Sequence, residues 1–288
     1  MTAATPLSLV AVHGVGNSFG ADVTGALLED LRRRKAADWG TALAKGLGVD
    51  PGRLDVDFAY YADRLATRPV AQGDGEDLSD DPAAREVLER WARELGVSDE
   101  ESQGHAGVPL RALSSWMARK FDLAEGPLRI FIRLLCREVA TYLRAEDAPE
   151  RVAAREEVAA RIAAHRPRVV IAHSLGSVVA YEALHAHPEL RCDLFLTLGS
   201  PLALPRVVFE RLTPRPEGRG TRPPGVGRWV NIADPGDPVA VPPGLSGWFD
   251  GIALDHTSVV GFHFDLHNAV NYLRGATTAA TLAPYLGV

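Results

Sequence analysis

Cysteine is scarce in this chain of 288 residues, which contains only Cys136 and Cys192. Two cysteines far apart in sequence do not make the disulfide framework on which small secreted domains depend. The first residues carry no positively charged start, and their short apolar run ends without a small-residue cleavage site. The sequence therefore predicts reduced thiols, no signal peptide and a cytoplasmic location.

Long apolar runs and a basic excess are also missing. No stretch approaches the roughly 18 uninterrupted apolar residues of a membrane span, so we expect no integral membrane segment. The formal net charge is -6 and the isoelectric point is about 5.9. Because binding to nucleic acid needs clustered Lys and Arg to displace counterions from phosphates, we expect no nucleic-acid partner.

Short apolar runs that alternate with helical patterns are present along much of the chain. They cover residues 7–12, 168–172, 194–198 and 229–233, and residues 53–61 alternate polar and apolar. Strands separated by helices indicate crossover connections, so the sequence predicts an α/β fold with a mostly parallel, doubly wound sheet. We expect a single domain, residues 1–288, in which residues of about 71–150 form a helical insertion. This insertion is interpreted as a cap or lid across the carboxyl edge of the sheet.

The strongest local signal surrounds Ser174. A β-branched run ends at Ala172-His173-Ser174-Leu175-Gly176, and a helical pattern begins at once. A strand–turn–helix this sharp needs small residues two before and two after the serine, as Ala172 and Gly176 are. The serine would adopt a strained conformation at a helix N-terminus, where amides favour developing negative charge. These features predict a nucleophile at Ser174, and the alternative is an ordinary turn with a capping serine.

A glycine-containing loop, His13-Gly14-Val15-Gly16, follows the first apolar run. An acyl-transfer enzyme needs two N–H donors at the place where the oxyanion forms. We expect these donors to be the amides of Leu175 and Val15, since the glycines allow the backbone to approach a ligand closely. The alternatives are a plain glycine turn or a phosphate-binding loop, but the motif matches neither the dinucleotide fingerprint nor the P-loop.

Together with Leu198-Gly199-Ser200-Pro201-Leu202, these motifs resemble those of lipases and esterases of the α/β-hydrolase superfamily. The resemblance extends along most of the chain, except for residues of about 70–150. Ala172 replaces the first glycine of the usual elbow, as it does in some bacterial lipases of this fold. The resemblance implies the α/β-hydrolase fold and a serine hydrolase, and it says little about the substrate.

The resemblance also implies the chain order serine, acid, histidine. Asp237 is preferred as the acid, with Asp234 as the alternative. His267, closest to the expected last helix, is preferred as the base, followed by His263 and then His256. His263 and His267 are four residues apart, but no HExxH-type glutamate or nearby cysteine accompanies them, so no metal site is expected.

The sequence thus predicts a hydrolase that cleaves carboxylic esters through Ser174, His267 and Asp237, by way of an acyl-enzyme and without a cofactor. The expected partner is a small-molecule acyl ester or a lipid. The alternatives are an acyltransferase, a thioesterase, or an amidase or peptidase with the same three residues. A binding module without catalysis on the same fold is a further alternative. Acyl chain length and oligomeric state are not defined by the sequence.

Overall fold

A computed structural model describes residues 5–17, 24–65, 78–97, 110–121, 124–260 and 267–286. The strands within these ranges are β1 (Leu7–Val12), β2 (Leu54–Ala59), β3 (Val169–His173), β4 (Cys192–Leu198), β5 (Gly220–Thr221), β6 (Val226–Ala233), β7 (Phe249–Asp250) and β8 (Ile252–Thr257). The α-helices are α1 (Gly25–Leu47), α2 (Pro82–Glu94), α3 (Leu110–Phe121), α4 (Glu125–Tyr142), α5 (Pro149–His165), α6 (Leu175–Ala186), α7 (Ala269–Arg274) and α8 (Ala276–Leu282).

The centre of the fold is a six-stranded sheet in the order β2-β1-β3-β4-β6-β8, with every neighbouring pair parallel. Val12 of β1 lies beside Ala172 of β3, which lies beside Thr197 of β4. Leu198 of β4 lies beside Ile232 of β6. The strands therefore end at a common edge, and the loops after β1, β3, β4 and β6 converge there. This is the edge at which parallel α/β sheets bind their ligands. The predicted α/β class with a parallel sheet is confirmed.

Helices cover both faces of the sheet. Successive strand residues point to opposite faces. Accordingly, Val170 packs in a cluster with side chains from α2 to α6, and Ile171 packs in a second cluster with side chains from α1, α7 and α8. All five residues of β3 are buried, because the strand is central and covered on both sides.

The helices α2, α3 and α4 lie within the region predicted as a helical insertion, between β2 and β3 in the chain. The buried face of α4 includes Leu128, Ile132, Leu135 and Val139, which share one core cluster with the β3 residue Val170. This helical segment therefore packs against the same core as one face of the sheet. The division into a domain and a cap or lid stays a prediction.

Two sequence expectations concern single features of the fold, and three strands were not expected. Cys136 and Cys192 are buried and free, as the sequence predicted. Within the described ranges, no helix has both the length and the apolar character needed to cross a membrane. The short pair β5 and β7 and the edge strand β8 were not predicted. β5 and β7 have only two residues each, and in β8 (Ile252–Thr257) three apolar residues are followed by polar ones and none is fully buried.

Candidate active site

Ser174 occupies the turn between β3 and α6, with φ 56° and ψ -135°. A non-glycine residue in this region stores about 1–3 kcal/mol of backbone strain, which the surrounding structure must hold. The loop after β1 packs directly against the turn. A Cβ atom on Gly176 would lie 2.1 Å from the carbonyl oxygen of His13, and one on Gly14 would lie 2.5 Å from the Cβ of Ser174. Both positions therefore require glycine.

A continuous hydrogen-bonded chain joins Ser174, His267 and Asp237. The Ser174 Oγ lies 2.8 Å from His267 Nε2. On the other side of the ring, His267 Nδ1 lies 2.7 Å from Asp237 Oδ2 and 2.9 Å from Oδ1. A carboxylate only accepts, so Nδ1 carries the proton and Nε2 is left to accept from the serine hydroxyl. In this geometry, His267 can remove the proton of Ser174.

The carboxylate of Asp237 is held by two further donors. The hydroxyl of Tyr272 donates to Oδ2 at 2.7 Å, and the amide of Val239 donates to Oδ1 at 2.9 Å. Burial and the adjacent Asp237 carboxylate raise the pKa of Tyr272, so its hydroxyl stays protonated and remains a donor. Tyr272 lies on α7 and was not predicted at the site, because a tyrosine in a helix carries no motif of its own.

The alternative acid, Asp234, and the third-ranked base, His256, lie elsewhere. Asp234 accepts hydrogen bonds from two backbone amides, with Gly236 bound to Oδ1 at 2.8 Å and Val260 bound to Oδ2 at 2.7 Å. These contacts stabilise the loop after β6. His256 lies on β8 beside Ile232. His263 lies outside the described residues.

Two aromatic side chains flank the ring of His267. The ring of His173 lies 4.6 Å away and that of Phe131 from α4 lies 5.5 Å away, measured between centroids. Burial, together with the neighbouring His267, holds the pKa of His173 well below its usual value. His173 is therefore neutral and does not repel a protonated His267.

The two predicted oxyanion donors belong to elements that meet at Ser174. Leu175 is the first residue of α6, and the first amides of a helix have no intrahelical acceptor. Val15 is half-buried in the loop after β1. Asn17 Nδ2 in this loop donates to the carbonyl oxygens of Gly14 at 3.0 Å and Val15 at 3.3 Å. The loop is therefore held from its carbonyl side.

His13 fixes the start of the same loop. Its Nδ1 donates to the carbonyl oxygen of Gly14 at 2.8 Å, and its Nε2 accepts from the amide of Tyr61 at 3.1 Å. The rings of His13 and Tyr61 are stacked, with centroids 4.2 Å apart. Burial lowers the pKa of His13 to about 4, so the ring is neutral near pH 7 and can both donate and accept.

A cleft of about 310 Å³ opens beside His267. Gly14 and Val15 form part of its wall, Phe131 contributes an aromatic face and Lys35 contributes a charged group. Within the described ranges, no group of three His, Cys, Asp or Glu side chains is placed to hold a metal ion.

Comparison with known proteins assigns no family to this chain. No family model matches it, and neither the curated proteins nor the solved structures include a significant match. The function must therefore be argued from the chemistry of the site.

Proposed function

We propose that this protein is a serine hydrolase of the α/β-hydrolase superfamily that cleaves carboxylic esters. The observation that carries the proposal is the chain of short hydrogen bonds from Ser174 through His267 to Asp237. The strained turn that bears the serine supports it, as does the position of the turn at the carboxyl edge of a parallel sheet.

The reaction would proceed by two acyl transfers. His267 Nε2 takes the proton of Ser174, and Oγ attacks the ester carbonyl carbon. The amides of Leu175 and Val15 stabilise the tetrahedral oxyanion, and the imidazolium then donates its proton to the departing alkoxide. Water, deprotonated by His267, attacks the acyl-enzyme, and the imidazolium returns the proton to Ser174 Oγ as the bond to the acyl group breaks and the carboxylic acid leaves. Asp237 orients the ring and stabilises its charged form.

The lining of the cleft contains both apolar and polar side chains. Phe131 and Trp39 lie there beside Lys35 and Asn268, which suits a substrate that has a polar as well as an apolar part. Thioesters and amides could react with the same residues, so hydrolysis rates on matched ester, thioester and amide substrates separate these activities.

The test of the nucleophile is labelling with a fluorophosphonate probe, read by mass spectrometry. Such probes phosphonylate an activated serine, so the wild type should carry one adduct on Ser174, and Ser174→Ala should carry none. Ser258→Ala is a suitable control because this half-buried serine bonds to Thr277 rather than to His267. An adduct on another residue, or one that survives Ser174→Ala, would refute the proposal.

The test of the acid compares two neighbouring aspartates. Asp237→Asn should lower kcat by about 10,000-fold, because the amide favours the wrong tautomer of His267. Asp234→Asn should mainly lower thermal stability, since Asp234 bonds to the backbone amides of Gly236 and Val260. Steady-state kinetics and melting temperatures of both variants check this. Equal losses of kcat in the two variants would make the assignment of Asp237 wrong.

A further inference from the structure

Glu138 is a buried carboxylic acid on α4 that takes no part in the hydrogen-bonded chain of Ser174, His267 and Asp237. Its side chain lies in the core, with the residue 8% exposed. Oε1 accepts a hydrogen bond from the amide of Gly16 at 2.9 Å, and Oε2 has no hydrogen-bond partner within the described part of the chain. Burying a carboxyl group with an unpaired oxygen costs stability, so its presence calls for an explanation.

The bond partner of Glu138 is part of the loop expected to supply an oxyanion donor. The Gly16 amide belongs to the Val15–Gly16 peptide group, whose carbonyl oxygen accepts from Asn17 Nδ2. Glu138 and Asn17 therefore hold the two opposite ends of one planar group. This contact restrains the rotation of the peptide that follows Val15.

The preceding peptide is restrained from its carbonyl side. The Gly14 carbonyl oxygen accepts from His13 Nδ1 and from Asn17 Nδ2. In a trans peptide the N–H points away from the C=O, so the Val15 N–H points away from these two side chains. Because consecutive peptide groups share the Cα of Val15, fixing both planes fixes the direction of this N–H.

The same helix reaches the other half of the site. Phe131 lies seven residues before Glu138, which is about two helical turns and places both on one face of α4. Phe131 packs against the ring of His267. Leu134, between them, faces the loop, where a Cβ on Gly16 would lie 3.8 Å from its Cδ1. One face of α4 therefore contacts both the loop and the base.

We propose that Glu138 is a positioning residue that anchors the Val15–Gly16 peptide to α4 and thereby keeps the Val15 N–H directed at the oxyanion. It acts through the loop and does not touch the substrate. This inference rests on the proposed function, and it makes the helical segment part of the catalytic framework.

The test compares Glu138→Met, which removes the acceptor, with Glu138→Gln, which retains a carbonyl acceptor. Loss of a whole oxyanion donor costs about 100- to 1,000-fold in kcat, so a misdirected donor in Glu138→Met should cost about 10- to 100-fold, with KM nearly unchanged. Glu138→Gln should stay within about threefold of the wild type. Glu125→Gln, in the first turn of the same helix with its side chain 42% exposed, is the matched control and should not change kcat. Kinetics on a short-chain p-nitrophenyl ester and the rate of fluorophosphonate labelling give these values.

A readout independent of catalysis is amide hydrogen exchange in a peptide covering residues 13–17. Deuterium uptake should rise in Glu138→Met and remain at the wild-type level in Glu138→Gln. A folded Glu138→Met variant with wild-type uptake or wild-type kcat would overturn the inference, and so would a Gln variant as impaired as the Met variant. A wild type that neither turns over esters nor reacts with the probe would instead refute the proposed function, and this inference with it.

Discussion

Burial shifts the pKa of two side chains near Ser174, His13 and Tyr272. His13 is neutral because burial lowers its pKa to about 4, and Tyr272 stays protonated because burial and Asp237 raise its pKa. Each state is the one that its hydrogen bonds require: His13 both donates and accepts, and Tyr272 donates to Asp237. Burial therefore supports the direction of the hydrogen bonds that His13 and Tyr272 make.

The raised pKa of Glu138 predicts that the free energy of unfolding depends on pH. Burial raises its pKa to about 7 in the folded protein, from an ordinary value of 4.5. Below pH 4.5 the Glu138 carboxyl is protonated in both the folded and the unfolded state. As the pH rises from 4.5 through 7, the unfolded state loses the proton more readily than the folded state, so the folded state loses stability. The loss amounts to about 3 kcal/mol, since a tenfold change in an acid dissociation constant corresponds to about 1.4 kcal/mol.

Comparison with Glu138→Gln isolates this effect, because the two proteins share every other titrating group. The free energy of unfolding of the variant, relative to the wild type, should increase by about 3 kcal/mol between pH 4 and pH 8. Urea denaturation at a series of pH values measures it. A difference that does not vary with pH would contradict the raised pKa.

Among the structural elements, the turn at Ser174 and the loop after β1 can pack together only because Gly176 has no side chain. A Cβ on Gly176 would meet backbone atoms, the carbonyl oxygens of His13 and Val12, at 2.1 and 2.8 Å. Backbone atoms cannot move aside as the end of a flexible side chain can. The turn and the loop therefore tolerate no added atom at this position.

Gly176→Ala should destabilise the protein by about 1–3 kcal/mol and slow fluorophosphonate labelling, because the loop must move away from Ser174. Gly126→Ala is the matched control. Gly126 lies in the first turn of α4 with open space around its Cβ position, so alanine there should stabilise the protein by up to about 1 kcal/mol. Thermal denaturation and labelling rates check both changes. A Gly176→Ala variant as stable as the control would mean that the loop has room to adjust.

Across the molecule as a whole, a buried ion pair connects the helical segment to the core. Arg151 of α5 and Glu182 of α6 are each 1% exposed and are hydrogen-bonded to each other. Tyr142 of α4 donates to Glu182 at 2.7 Å, and the amide of Thr213 donates to it at 2.9 Å. The pair therefore links three helices and the loop that contains Thr213.

Arg151→Met should destabilise the protein by about 3–5 kcal/mol, because it leaves the Glu182 carboxylate buried and uncompensated. Arg144→Met is the control, since Arg144 pairs with Glu150 at the surface and such pairs contribute less than about 1 kcal/mol. Adding Glu182→Gln to Arg151→Met should recover part of the loss, and the double-mutant cycle measures the coupling. Additive effects would show that the two charges do not interact.

Features that depend on neighbouring residues could be predicted from the sequence alone. The strand, turn and helix around Ser174 were predicted because β-branched residues, two small residues and a helical pattern follow one another directly. The parallel α/β class followed from the alternation of apolar runs with helices. The preference for Asp237 came from the resemblance of Asp237-Pro238-Val239 to the lipase pattern, and that for His267 from its position just before the last helix. Their roles in catalysis stay predictions.

Which side chains meet depends instead on the tertiary structure. Asp237 reaches His267 while Asp234 bonds to backbone amides, a difference that two aspartates three residues apart do not reveal in sequence. Tyr272 and Glu138 reach the site from α7 and α4. Their partners lie far away in the chain, and a hydrogen bond between distant residues is set by strand order and helix packing. No local pattern of residue types records that arrangement.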